Sequence, residues 1–230
     1  YGVSPYSYCD DNPMNRIDPD GRDWKEKKDE EIAKQLQQQI AIREESLAQE
    51  EQIINLQIAK IKNNTKLSTK KKNRKIASQQ DKLDDVQMQR ILLSDLGKGI
   101  IQLGDSKTSY TFNTVGVGTT ATLSSMSNGT VVINNYGTTG NRAHETTHAI
   151  QYDNGEISFK ELGSNIIRFH SDYRGQEIQA YATEYSITNG IVPSSDARYP
   201  RNVFGITPQW LYGLKDPDTG SYIYRPENYK

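Results

Sequence analysis

His144, Glu145 and His148 are side chains of the types that together hold and use a metal ion. Helix positions four apart lie one turn apart on the same face, so both imidazoles can reach one ion at about 2.0–2.1 Å. Two imidazoles are an incomplete ligand set. Glu145, on a neighbouring face, is placed to take a proton from water held on the metal and to hand it to a leaving amine. Zinc suits the set, because it accepts nitrogen and carboxylate donors in a tetrahedral site and can leave one position open. A chance HExxH turns up in roughly one chain of this length in a hundred or fewer, so context has to carry the assignment. The chain has only three histidines, and two of them are in this motif. Ala143, Ala149 and Ile150 give the segment the apolar positions of a half-buried helix. The bland alternative is two surface histidines on an ordinary helix.

A third ligand decides the kind of site. Cys9 is the only cysteine, so further ligands must be His or carboxylate. The metzincin pattern would need a glycine at Gln151 and a histidine at Asn154, and that class fails. The chain carries instead Glu177, Ile178, Gln179, Ala180 and Tyr181, whose ExxA core resembles the second active-site helix of gluzincin-type zincin metallopeptidases. The resemblance implies Glu177 as the third ligand and peptide hydrolysis as the reaction. Glu184, two turns on and on the same face, competes as a ligand or serves to orient a histidine. Asp172, within SDYRG, faintly resembles the acidic ligand of aspartate-type zincins.

Such enzymes place a donor against the negative charge that develops on the substrate oxygen. His170 and Tyr181 are the candidates, with Tyr173 and Tyr185 as alternatives, although a lone His or a buried Tyr is more often structural. Cys9 lies in a turn-rich leader far in sequence from every histidine, which excludes a cysteine protease.

These residues need elements to position them. From Trp24 to about Leu96 the chain has neither Gly nor Pro and is rich in Glu, Lys, Gln, Ala, Ile and Leu, the composition of strong helix formers. Ile32, Leu36, Ile40, Leu47, Ile54, Ile58 and Ile61 recur at intervals of three, four or seven. Ile76, Leu83, Val86 and Leu93 continue the pattern after a polar break at Asn63–Thr65, which predicts a helical hairpin with one narrow apolar seam. Gly97 and Gly99 are expected to end its second helix. The cluster Lys70, Lys71, Lys72 and Arg74 has the charge to touch phosphates or lipid, but such runs at a helix start are usually solvated, and this one reads so, with no nucleic-acid site claimed.

Strands are expected at Thr108–Val117 and Thr130–Asn134, and a helix from near Gly140 that carries the motif. A strand followed at once by the HExxH helix is similar to the order in zincins. The resemblance implies that this strand lies at a sheet edge and holds peptide by strand addition. Further helices are expected from about Ser158 to His170 and from about Gly175 to Ile187, followed by ordered loops anchored by Trp210 and several tyrosines. The fold class is α+β: a leader (1–23), a helical hairpin (24–97) and a zincin-like metallopeptidase domain with a small sheet and an active-site helix (98–230).

The leader has Asn-Pro, Asp-Pro and Asp-Gly steps, the signals of turns and extended chain. Its Tyr6, Ser7, Tyr8, Cys9, Asn12, Pro13 and Ile17–Gly21 resemble the end of the core region of rearrangement-hotspot (Rhs) repeat proteins, over about a tenth of the chain. In that family the stretch closes a β-rich shell and precedes a variable C-terminal effector, often a toxin. The resemblance implies an effector secreted or delivered into a target cell, with a cognate immunity protein as partner.

Charge is nearly balanced, 28 Lys and Arg against 29 Asp and Glu, so no global field points to nucleic acid or an acidic membrane surface. No apolar run approaches a membrane span, and Tyr1 does not begin a signal sequence; the chain reads as cut from something larger. Two rivals stand beside the zinc peptidase: a metal-free zincin-like binding module, and a zinc hydrolase of a non-protein substrate.

Overall fold

The computed structural model describes residues 24–116, 121–164, 167–170, 173–193, 199–216 and 219–224. The leader with Cys9 and the Tyr6–Gly21 stretch, and Asp172, lie outside the described residues. The architecture is α+β, two long helices followed by small sheets and shorter helices.

Helices α1 (Lys27–Asn63) and α2 (Thr69–Asp105) form the hairpin. Leu36, Ile40, Leu47, Ile54 and Ile58 from α1 meet Leu83, Val86, Leu93 and Leu96 from α2, and all are buried. The turn falls at the expected polar break, where Asn64 Oδ1 accepts the Lys66 amide. Gly97 and Gly99 do not end the helix; α2 continues for two more turns to Asp105. A Cβ on Gly99 would lie 2.2 Å from Ile150 Cδ1, so this glycine permits close contact with the next helix. The hairpin therefore runs past the expected boundary at residue 97, and its apolar seam joins the core of the sheet through Ile100, Leu103, Tyr110 and Phe112. Trp24, stacked on Phe112 at 5.0 Å, closes the entry to α1.

Strands β1 (Tyr110–Thr114), β2 (Thr122–Ser125) and β3 (Val131–Asn135) form one sheet in the order β1-β3-β2. β3 pairs in parallel with β1 and antiparallel with β2. The strand preceding the motif helix is thus central, with both ladder sides taken, and not the edge expected for strand addition. The added strand, β2, is short and polar on one face, which gave little signal beside TVVIN.

Helix α3 (Thr139–Asp153) carries the motif, and Thr138 caps it by accepting the Asn141 amide. The expected helix over 158–170 is absent from the described residues there. Ile157–Phe159 (β4) and Ile167–Phe169 (β5) form an antiparallel pair instead. Ile157, Phe159, Ile167 and Phe169 alternate with a period of two, and Gly163 turns the chain at φ +81°. Helix α4 (Tyr173–Ile187) packs along α3. The last part, including a 3-10 turn (Val203–Gly205) and α5 (Pro208–Tyr212), wraps α4 through a second core of Trp210, Leu211, Leu214, Tyr181 and Tyr224. No helix among the described residues is long and apolar enough to cross a membrane.

Candidate metal centre

The histidines sit on α3, buried at 5 % and 7 % exposure, with their Nε2 atoms 3.2 Å apart. Glu177 reaches them from α4: its Oε2 lies 3.7 Å from His144 Nε2 and 3.6 Å from His148 Nε2. Two closely packed helices make this possible. A Cβ on Gly140 would fall 2.6 Å from Thr188 Cγ2 and 3.2 Å from Glu184 Cγ, so a glycine in the first turn of α3 lets α4 approach.

The hydrogen bonds behind the cluster decide which ring nitrogens face it. The Gln176 backbone carbonyl can only accept, so the group 3.2 Å away on Gln151 is its amide nitrogen. Gln151 Oε1 therefore faces His148 Nδ1 at 2.8 Å and accepts its proton, leaving a lone pair on His148 Nε2. Gln151 is 1 % exposed, and its amide also donates to Gln179 Oε1 at 3.0 Å. At His144 the outer nitrogen, Nδ1, lies 3.3 Å from Glu184 Oε2, an ion-pair distance without hydrogen-bond alignment. Glu184 favours a proton on Nδ1, so the nitrogen that a metal would take from this ring is Nε2. Glu184 meets the outer face of His144 while Glu177 meets the inner one, so Glu184 occupies the orienting position.

With the rings neutral, two lone pairs and a carboxylate oxygen would converge; without a metal, protons on the rings balance the carboxylate instead. Its electrostatics follow. Burial disfavours a charged His144, but Glu177 and Glu184 outweigh it and push its pKa up to about 10. His148 is also raised, burial again opposing and Glu177 prevailing. Burial likewise opposes a charged Glu177, yet the two imidazoles hold its carboxyl well below the usual range. A point equidistant from three atoms 3.2, 3.6 and 3.7 Å apart lies about 2.0 Å from each, the circumradius of that triangle. Zinc bonds to imidazole and carboxylate at about 2.0–2.2 Å, so the triad fits the ion and leaves one side open. His144, His148 and Glu177 are all buried, as a ligand set held ready by its surroundings requires.

Glu145 is 4 % exposed, and its Oε2 has no hydrogen-bond partner among the described residues. It stands outside the ligand triad. Burial raises its pKa, partly opposed by the charges of His144 and His148. A buried carboxylate with a free oxygen beside an ion site is equipped to take up a proton.

Tyr181 lies against His144, ring centroids 4.3 Å apart. Its hydroxyl is 3.3 Å from that of Tyr224, which donates to Glu177 Oε2 at 3.0 Å; Tyr181 therefore donates to Tyr224. Burial raises both phenols well above their ordinary value, so both stay protonated donors. His170 is not brought into the cluster. It is exposed beyond β5, with Nε2 2.9 Å from Ser158 Oγ. Tyr173 holds the Tyr224 carbonyl through its hydroxyl at 3.3 Å, and Tyr185 packs in the second core. Sequence reasoning missed Tyr224, Gln151 in its orienting position and Gly140. Only Gln151, one turn after His148 on the same face, left a readable signal.

No known family model, curated protein or solved structure matches this chain. The geometry of the cluster therefore has to carry the functional assignment.

Proposed function

We propose that this chain is a zinc-dependent peptidase with a gluzincin-like ligand set, His144, His148 and Glu177. The observation that carries the proposal is the convergence of their three donor atoms about a point some 2.0 Å from each, with Gln151 2.8 Å behind His148 and Glu184 3.3 Å behind His144 on the outer ring nitrogens. The order of elements supports a zincin-like domain: β3 leads into the motif helix α3, and α4 supplies the carboxylate.

Zinc bound there would polarise a peptide carbonyl and lower the pKa of water for attack. Glu145 takes the proton from the attacking water through its free Oε2 and passes it to the leaving nitrogen. The hydroxyls of Tyr181 and Tyr224 are kept protonated by burial; they bond to Tyr224 and Glu177 in the free site, and the charge on a substrate carbonyl oxygen would draw one of them away as its donor. Glu177 receives the Tyr224 proton bond, which fixes the rotamer of the carboxylate that faces the histidines.

The Rhs-like leader extends the proposal to biology: a C-terminal toxic effector, delivered into a target cell and held in check by a cognate immunity protein. The test joins chemistry to phenotype. Purified chain should cleave protein substrates in a chelator-sensitive manner, and Glu145→Gln should lose both cleavage and toxicity while keeping its zinc. Toxicity that survives Glu145→Gln would overturn the peptidase proposal.

A further inference from the structure

Nine of the 28 Lys and Arg, but only one of the 29 Asp and Glu, fall between Lys60 and Lys82. That segment carries +8 in a chain whose net charge is −1. The hairpin gathers this charge at one end: α1 closes with Lys60 and Lys62, the turn adds Lys66, and the first two turns of α2 hold five more cations. All but Lys72 are exposed, and none pairs with a carboxylate among the described residues. Lys72 instead donates to the Lys62 carbonyl at the end of α1.

Fold stability does not account for this placement. Cations suit the C-terminal end of α1, but the N-terminal end of a helix carries a partial positive charge and favours acids. Helix α2 opens with no acidic residue and with no side-chain cap from Ser68. The cations there repel both the helix end and one another, and a partner that brings negative charge relieves both.

The shape of the tip selects the partner. The five cations in residues 70–75 spread over roughly 200° of azimuth on a helix that turns 3.6 residues per cycle, which with Lys60, Lys62 and Lys66 makes a broad charged knob and not a narrow stripe. Two adjacent helices are about 20 Å across, against about 12 Å for the major groove of DNA. Eight of the nine cations are Lys, compact point charges that suit phosphate, and no aromatic residue lies between Trp24 and Tyr110, so no platform for base stacking is present. Ile53 and Leu56, 55 % and 62 % exposed, offer apolar contact behind the knob. We propose that the hairpin tip docks on the surface of an anionic phospholipid bilayer, contacting headgroups without spanning the membrane.

Each Lys near such a surface adds about a fivefold factor to partitioning, so removing four cations should cost several hundredfold. The full chain is sedimented with vesicles of phosphatidylcholine alone or of phosphatidylcholine with phosphatidylserine, at about 0.1 M salt where the screening length is about 10 Å. It should pellet only with the anionic vesicles. The variant Lys70→Gln/Lys71→Gln/Arg74→Gln/Lys75→Gln should lose that binding several hundredfold at unchanged helical circular dichroism. Lys27→Gln/Lys98→Gln/Lys107→Gln/Lys160→Gln, with the same net charge, should keep it. No pelleting with anionic vesicles, or equal loss in both variants, overturns the proposal. Tighter binding to duplex DNA or RNA than to anionic vesicles at the same salt overturns it in favour of a nucleic-acid partner.

Discussion

Replacing Gln151 by Leu tests whether the surroundings of the site, and not only its ligands, prepare it for a metal. Leu is close to Gln in size and suits a side chain that is 1 % exposed, so the cavity stays filled. What is lost is the acceptor 2.8 Å from His148 Nδ1, together with the amide that donates to the Gln176 carbonyl and to Gln179. His148 is then free to carry its proton on Nε2, where it blocks the ion. Loss of such an orienting partner weakens metal binding by about 10- to 100-fold, which corresponds to about 1.4–2.7 kcal/mol. The buried groups left without partners cost about 1–3 kcal/mol of stability in the metal-free chain. Zinc affinity is read by competition with a chelator of known strength, and stability by thermal unfolding. Gln151→Glu supplies an acceptor at the same place and should bind zinc at least as tightly as Gln151 does. Wild-type zinc affinity in Gln151→Leu, with the fold intact, would refute the orienting role.

Tyr224→Phe removes the donor to Glu177 and the acceptor of Tyr181; kcat for peptide hydrolysis should fall about a hundredfold, with KM and zinc content little changed in steady-state and metal analyses. Gly99→Ala puts a methyl 2.2 Å from Ile150 Cδ1, and overpacking of about 1–3 kcal/mol should exceed the gain in helix propensity of about 1 kcal/mol. Its Tm should drop, and adding Ile150→Val, which deletes the nearest atom, should restore part of it. The metal-stripped chain should show a distinct pH profile. His144 has a folded pKa raised to about 10 from 6.5, so its contribution to stability is complete below about 6.5 and is lost as pH rises toward 10. Glu177, depressed from 4.5, contributes above that value and loses its contribution as pH falls further. Thermal unfolding of the stripped chain should therefore be most favourable to the fold between about pH 4.5 and 6.5, and zinc should remove the decline on the alkaline side.

The parts legible from sequence were those written in local pattern. The Trp24–Leu96 composition and its apolar recurrence gave the hairpin, and Asn63–Thr65 gave its turn. His144 and His148 were readable together because a helix spacing of four puts them on one face, while Glu177 was reached only through the resemblance of its ExxA segment to gluzincin-type zincins. What stayed hidden depends on contacts between distant segments. Gly97 and Gly99 look like a helix end until Ile150 is known to press against the backbone there. The alternation in 157–169 was obscured because two short runs straddle a turn, and only their pairing makes them strands. The central position of β3 depends on β1 and β2 arriving on either side. Tyr224 is one of fourteen tyrosines, 47 residues from Glu177, and nothing in its neighbours announces the contact. His170 was attractive as one of three histidines, yet the β4–β5 turn carries it out to Ser158.

The central claim is that His144, His148 and Glu177 form one zinc site. Elemental analysis of the purified chain after equilibration with zinc and removal of loose metal tests it directly. One equivalent of zinc per chain, lost in His148→Ala and retained in Glu145→Gln, is the predicted result. Substoichiometric zinc in the unaltered chain, or a full equivalent in His148→Ala, would contradict it.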